Sequence, residues 1–404
     1  MTVARHLRRI IATTDFHSAF DDAVPMLAYL HARRHDSFVV DCGDFFEGTG
    51  YYRLGQGRIE RDVLVGLYDA VVPGNHGWIH HFDPGLHDIT VCANAVDSET
   101  GKRLFHPARF VKVGARRVAV TGVIGPQAFN AIPADQRAGH RVTEPVQTLR
   151  ELMLTHHHRA DSWVVLSHSG FDEDLKLAAA CPLLNVVFAG HCHSDRPEPV
   201  PVGDALVLKG GELGAGYALA EPVGTGWTAQ VGSFPPAAGF PRQLSPVQEA
   251  IDALHGELRT SIGPLRAPYA NGLLDRHALL ADVAGRLHSG LGAEVVLLNE
   301  TALRSPRLGT VLTQGDLLAI EPFDNQLVHA HVPEPFLTDP AALLPHLTAQ
   351  TGPVVSAPRP LPDRLPTVLT TGYLADTYLG GRTRQAGVRL SQAVQHTLTE
   401  GDSR

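Results

Sequence analysis

Short apolar runs alternate along the first half of the chain with stretches in which apolar residues recur every three or four positions. The first kind of segment reads as a buried strand and the second as an amphipathic helix. Strands are expected at Arg9–Thr13, Phe38–Asp41, Ala70–Val72, Ile89–Ala93, Trp163–Ser167 and Val186–Ala189. Helices are expected between them at Asp21–Arg34, Ile59–Tyr68, Val146–Arg159 and Asp174–Ala180. Phe110–Val113 and Arg117–Thr121, joined through Gly114-Ala115, read as a hairpin. Regular alternation of strand and helix predicts an α/β domain with much parallel pairing. Further strand-like segments at Ala205–Lys209 and Tyr217–Ala220 close it.

Residues 222–245 are rich in Gly, Pro and Ser, and this composition marks a boundary. Val247–Ser261 follows as a connecting helix. A second α/β segment comes next, with a helix at His277–Leu287, an apolar strand at Glu294–Leu298, and a helix start at Thr313–Leu318 behind a Thr-x-x-Asp pattern. The Pro-rich stretch 332–366 is expected to be loop. On this pattern residues 1–225 form the first domain, 226–262 a linker and connecting helix, and 263–404 a smaller second α/β domain.

The 404 residues are 44% hydrophobic and 19% charged, enough to build sizeable cores. A formal net charge of −8 with no basic run argues against a nucleic-acid partner, whose phosphates need Lys and Arg to neutralise them. No apolar stretch is long enough to span a bilayer, so no membrane role is expected. Cys42, Cys92, Cys181 and Cys192 form no CxxC pair. Together with a short basic start and no apolar signal region, this predicts a cytoplasmic protein with reduced thiols.

The polar residues that matter sit immediately after the predicted strands. Asp15-Phe16-His17 follows the first strand, Gly43-Asp44 the second, and Gly74-Asn75-His76 the third. His168 follows Trp163–Ser167, and His191-Cys192-His193 follows Val186–Ala189. Loops at the carboxyl ends of strands build the sites of α/β sheets. Each cluster alone is a weak signal, but five in this order form a mixed nitrogen and oxygen ligand set without thiolate. Such a set suits two divalent ions drawn from Zn, Mn, Fe or Co. A pair of ions about 3.5–4 Å apart can clamp the attacking and leaving oxygens of a phosphoryl displacement.

In the pieces TTDFHS, DCGDFFEG, VPGNHG, VCANAVD, LSHSG and AGHCHSD, the chain resembles the calcineurin-like metallophosphoesterase superfamily. The stretch LNETALRSPRLGTVLTQGDLLAIEPFDNQLV is similar to the substrate-recognition domain of its 5'-nucleotidase branch. The resemblance implies a four-layer αββα metal domain followed by a smaller α/β domain. It implies that Asp15, His17, Asp44 and His193 hold one ion, and that Asp44, Asn75, His168 and His191 hold the other, with Asp44 bridging. A metal-bound hydroxide would attack phosphorus, with His76 stabilising the transferring group or protonating the leaving oxygen. Arg304 would grip phosphate, and Phe323 would stack on a base, with Tyr373 or Tyr378 on its other face. Arg286 and Arg307 are further phosphate candidates, and Asn94 either approaches the metals or ends a strand.

The implied activity is hydrolysis of a small phosphorylated substrate, a nucleoside 5'-monophosphate or a relative. The alternatives are cleavage of a cyclic nucleotide or nucleotide sugar, and a non-catalytic metal- or nucleotide-binding module. Three departures bear on this choice. The family's acidic residue after GNH is replaced by Ile79, leaving His76 without a local carboxylate partner and making Asp83 a candidate. Asn299-Glu300-Thr301-Ala302 stands where the family has a glycine run, which puts a negative charge near the anion site. The family's Gly-Gly-Asp-Gly-aromatic motif is absent, with Gly380-Gly381 following Tyr378 instead.

Overall fold

A computed structural model describes residues 5–399 except 195 and 197. The chain divides into two compact units, 1–254 and 255–404. The first unit is built on two sheets. One runs in the order Gly226–Ser233, Gly216–Val223, Arg9–Thr13, Ser37–Asp41, Ala70–Val71. The other runs Val200–Val202, Ala205–Leu208, Val186–Ala189, Ser162–His168, Arg116–Ile124, Arg109–Val113. The strands that end in candidate ligands pair in parallel: Arg9–Thr13 with Ser37–Asp41, Ser37–Asp41 with Ala70–Val71, and Ser162–His168 with Val186–Ala189.

Side chains alternate across each strand, and the two cores follow from that period of two. Val164, Leu166, Val186 and Phe188 join Ile10, Ala12, Phe38 and Val40 in a core between the sheets. Their neighbours Trp163, Val165, Val187 and Ala189 face the other way and pack with Leu149, Leu152, Leu177 and Ala178 from the helices Pro145–His156 and Phe171–Ala180. These strands are apolar on both faces because both faces are covered. The layering is helix, sheet, sheet, helix.

The run Ile89–Ala93, expected as a strand, is a bridge between the two sheets instead. Val91 N–H donates to Val71 O in the first sheet, Cys92 N–H to His106 O, and Ala93 N–H to Gly122 O in the second. Each amide finds a different partner, so no ladder forms. Gly122 permits the crossing, since a Cβ there would lie 2.2 Å from Val91 O. The expected linker also divides differently. Gly226–Ser233 is an edge strand paired along Gly216–Val223, and Ser245–Leu258 is a helix.

The second unit has a five-stranded sheet in the order Val354–Ala357, Val296–Asn299, Thr367–Thr371, Gln326–His331, Thr383–Arg389. Val296, Leu298 and Leu369 pack with helices Arg276–Leu291 and Leu390–Thr399 on one face. Leu297, Val328 and Val368 pack with Leu343, Leu347 and Ala375 on the other. The Pro-rich stretch 332–366 is therefore not all loop. It carries the helix Pro340–Thr351 and the strand Val354–Ala357. Pro340 occupies the first helical position, where proline is tolerated, and burial of Leu343 and Leu347 holds the helix despite Pro345 inside it. Thr313 caps the helix Gln314–Ile320 in a capping box with Asp316. Among the described residues, no helix is long and apolar enough to cross a membrane.

Leu166 is fully buried between the two sheets. Leu166→Ala should cost about 3 kcal/mol of stability in urea unfolding. A loss under about 1 kcal/mol would show that the inter-sheet layer is not one close-packed core.

Candidate metal centre

The strand ends turn into loops that hold several residues in the left-handed region. Asp15, His17, Ser18, Asp44, Glu47 and His191 all have φ between 50° and 75°. Non-glycine residues adopt this conformation at a cost, and such strain concentrates where side chains must be aimed. The loops also pack closely. A Cβ on Gly74 would fall 2.0 Å from Asp44 Oδ1, so only glycine lets the third loop approach that carboxylate.

The side chains converge in three overlapping groups. Asp15, His17 and His193 form one, His17, Asp44 and His76 another, and Asp44, His168 and His191 the third, each with ligand atoms within 4.8 Å of one another. Asp44 lies at the middle. Its Oδ2 is 3.3 Å from His168 Nε2 and 3.9 Å from His17 Nε2, and its Oδ1 accepts from His76 N–H at 2.9 Å. Asn75 Oδ1 is 3.2 Å from His168 Nε2. Asp15 accepts from Thr14 Oγ1 at 2.6 Å and from His191 N–H at 3.1 Å, which ties the first loop to the last. His17 stacks on His193 with ring centroids 5.3 Å apart.

The chemistry of these groups fits metal ligation. His168 Nδ1–H donates to Cys42 O at 2.8 Å, which fixes the tautomer and aims Nε2 at Asp44. His17 Nε2 is buried and has no hydrogen-bond partner, an arrangement that is costly unless a cation completes it. Burial pushes the pKa values of His17 and His191 down, leaving neutral imidazoles able to ligate near neutral pH. His193 Nδ1 lies 2.6 Å from the Glu212 carboxylate, leaving Nε2 for an ion. All seven residues with expected ligand roles therefore meet in one cluster.

In the second unit the expected substrate residues form two pairs. The Arg304 guanidinium lies over the Phe323 ring at 4.8 Å, with Phe323 about half exposed. Tyr373 and Tyr378 meet edge to face with centroids 6.0 Å apart. Glu300 turns to Arg276 at 3.5 Å and His277 at 2.5 Å, so its charge is met by that helix start. Asn325 N–H and Nδ2 both donate to Glu321 Oε1, closing the turn that presents Phe323.

No protein-family model matches the chain. An uncharacterised metallophosphoesterase of Bacillus subtilis, YunD, is 25% identical over 203 residues, covering 46% of this chain and 43% of that protein. The chain thus spans less than half the length of this curated relative. Two solved structures superpose along nearly the whole chain. A 5'-nucleotidase precursor from Thermus thermophilus is 20% identical, with a TM-score of 0.69 over 97% of this chain and 96% of that one. A sulfate thiohydrolase from the same genus is 16% identical, with a TM-score of 0.69 over 98% and 95%. The chain has the fold of the 5'-nucleotidase metallophosphoesterases. One fold therefore carries neighbours named for different reactions, and the substrate of this metallophosphoesterase-like chain rests on its own residues.

Two acidic residues of the centre escaped the sequence reading. Glu47 is the partner of His76: its Oε2 accepts from His76 Nδ1 at 2.8 Å, and its Oε1 accepts from Gly77 N–H at 2.8 Å. Asp83 is engaged elsewhere, 3.3 Å from Arg61. Burial opposes a charge on His76, but the hydrogen bond to Glu47 and the nearby Asp44 outweigh it and raise its pKa. Glu212 is the second. A carboxylate three residues beyond Asp44, next to a left-handed Gly48, was the available signal for Glu47. Asn94 is structural: its Nδ2 donates to Ile124 O and Thr143 O, and its Oδ1 accepts from Ile124 N–H.

Burial alone would lower the pKa of His168, but Asp44 lifts it to about 9, and Asp44 itself is held well below the carboxylate range. Without metal, His168 is protonated at pH 7, and an ion taking Nε2 must displace that proton. Adding Zn²⁺ to the demetallated protein should therefore release a proton at pH 7, read with an indicator in weak buffer. Release should fade as the pH rises past about 9. No release at pH 7 would contradict the placement of an ion at His168.

Proposed function

We propose that the chain is a phosphoric ester hydrolase that releases phosphate from a nucleoside 5'-monophosphate or a close relative, using two divalent ions. The observation that carries this reading is the position of Asp44, one carboxylate oxygen of which faces both His168 and His17. That is where a ligand shared by two ions must lie. Asp15, His17, Asp44 and His193 would hold one ion, and Asp44, Asn75, His168 and His191 the other. When bound, the pair supplies positive charge that polarises the phosphoryl oxygens and acidifies water.

The chain's own groups do the rest. Glu47 holds His76 by Nδ1 and favours its charged form, so Nε2 can donate to an oxygen of the transferring or leaving group. The His76 side chain is 40% exposed, unlike buried His168, and so is open to substrate. In the second unit, Arg304 and Phe323 offer a guanidinium for phosphate and an aromatic face for a base. The four cysteines of the chain, all in the first unit, are unpaired, which suits work in a reducing cytoplasm.

A panel of nucleoside monophosphates, 2',3'-cyclic nucleotides and nucleotide sugars, scored for phosphate release with Zn, Mn, Fe and Co, tests the reading. Turnover of monoesters is expected to stop on chelation and return with metal. No monoester turnover at saturating metal would refute it. Asp44→Asn should abolish both metal uptake and turnover. Glu47→Gln should retain the metals, measured by elemental analysis, and lower kcat by about 10- to 100-fold. A kcat equal to that of the unmodified protein would remove Glu47 from the reaction.

A further inference from the structure

Apart from that centre, His87, Asp88 and His106 bring two imidazoles and a carboxylate within 4.8 Å of one another. None of the three belongs to the groups at the strand ends. The backbone holds both sides of the cluster. His87 ends the short helix Pro84–His87, where its N–H donates to Asp83 O at 2.7 Å and its carbonyl accepts from Thr90 N–H at 3.1 Å. His106 pairs with Val91 as an isolated bridge, and its carbonyl accepts from Cys92 N–H at 3.0 Å. The ligand-bearing backbones are thus parts of the frame that crosses between the two sheets, not free loop tips.

The ring of His87 is oriented as well. Its Nε2 lies 2.9 Å from Leu104 O. A carbonyl only accepts, so Nε2 carries the proton and Nδ1 keeps its lone pair. A hydrogen bond from the non-ligating nitrogen to a backbone carbonyl is what orients metal-bound histidines. The ring also packs on Phe105 at 5.7 Å and stands 5.8 Å from the ring of His106. Asp88 and His106 are exposed, so an ion reaches them from solvent.

We propose that His87, Asp88 and His106 form a zinc site separate from the metal centre. Two imidazoles and one carboxylate suit a borderline divalent ion, whereas Ca²⁺ and Mg²⁺ favour oxygen-only sets. The ion joins the 84–88 segment to the 104–106 segment across Phe105. Phe105 in turn packs edge-on against Trp78 at 5.6 Å, two residues beyond His76. Zinc at this position braces the wall on which the His76 loop rests.

The test uses the full chain, stripped of metal and dialysed against a small excess of zinc, with bound zinc counted by elemental analysis. The unmodified protein should hold one equivalent more than His106→Ala, and one more than Asp88→Asn. Both side chains are exposed, so both variants should keep the parent's circular dichroism and, when all three are stripped of metal, its melting temperature. Equal zinc contents in the parent and in both folded variants would overturn the proposal.

Discussion

Everything at the metal centre depends on one buried carboxylate. Asp44 is almost fully enclosed, and a charge in that position needs partners or it would be neutralised. It has His168, His17 and the amide of His76 around it. Those three groups come from three strand ends, two in one sheet and one in the other, so the Asp44 charge is met only when both sheets are packed. The left-handed backbone at Asp15, His17 and Asp44 is the local strain that this convergence requires. The close-packed layer of Leu166, Val164 and their neighbours stabilises the frame that carries it.

The imidazoles of the cluster divide into two kinds, and the division follows from what each touches. His17 and His191 are kept neutral by burial, whereas His168 and His76 are pulled toward the charged form by Asp44 and Glu47. An ion entering the cluster must replace the proton on His168, but the proton on His76 can stay. In the proposed reading, ligation and acid chemistry are thereby separated between neighbouring histidines by the choice of carboxylate each one faces. Glu47 also hydrogen-bonds the Gly77 amide, so the loop after His76 is positioned by the residue that tunes it.

The clustering of the seven candidate ligands was legible in the sequence because each lies within a few residues of a strand end, where local pattern and spacing predict placement. The α/β class was readable from the alternation of strand and helix, whereas the αββα layering was implied by the family resemblance. The misreadings have a common cause in tertiary contacts. Ile89–Ala93 is as apolar as a strand, but its amides are divided between two sheets. Pro340–Thr351 has the prolines of a loop, but Leu343 and Leu347 bury it as a helix.

The sequence by itself determined the order of most elements, the residue types gathered at the strand ends and the replacement of the acidic residue after GNH by Ile79, because these are properties of neighbouring positions. Only the tertiary structure decided what replaces that residue. Glu47 is 29 positions before His76, and Glu212 comes from a different loop than its own partner His193. The same holds for His87 and His106, and for Glu300, whose charge meets Arg276 and His277. A hydrogen bond or a ligand pair acts over about 3 Å of space and does not depend on separation along the chain. Residues brought together by sheet packing therefore leave no periodic trace in the sequence, while residues aimed by one strand end do.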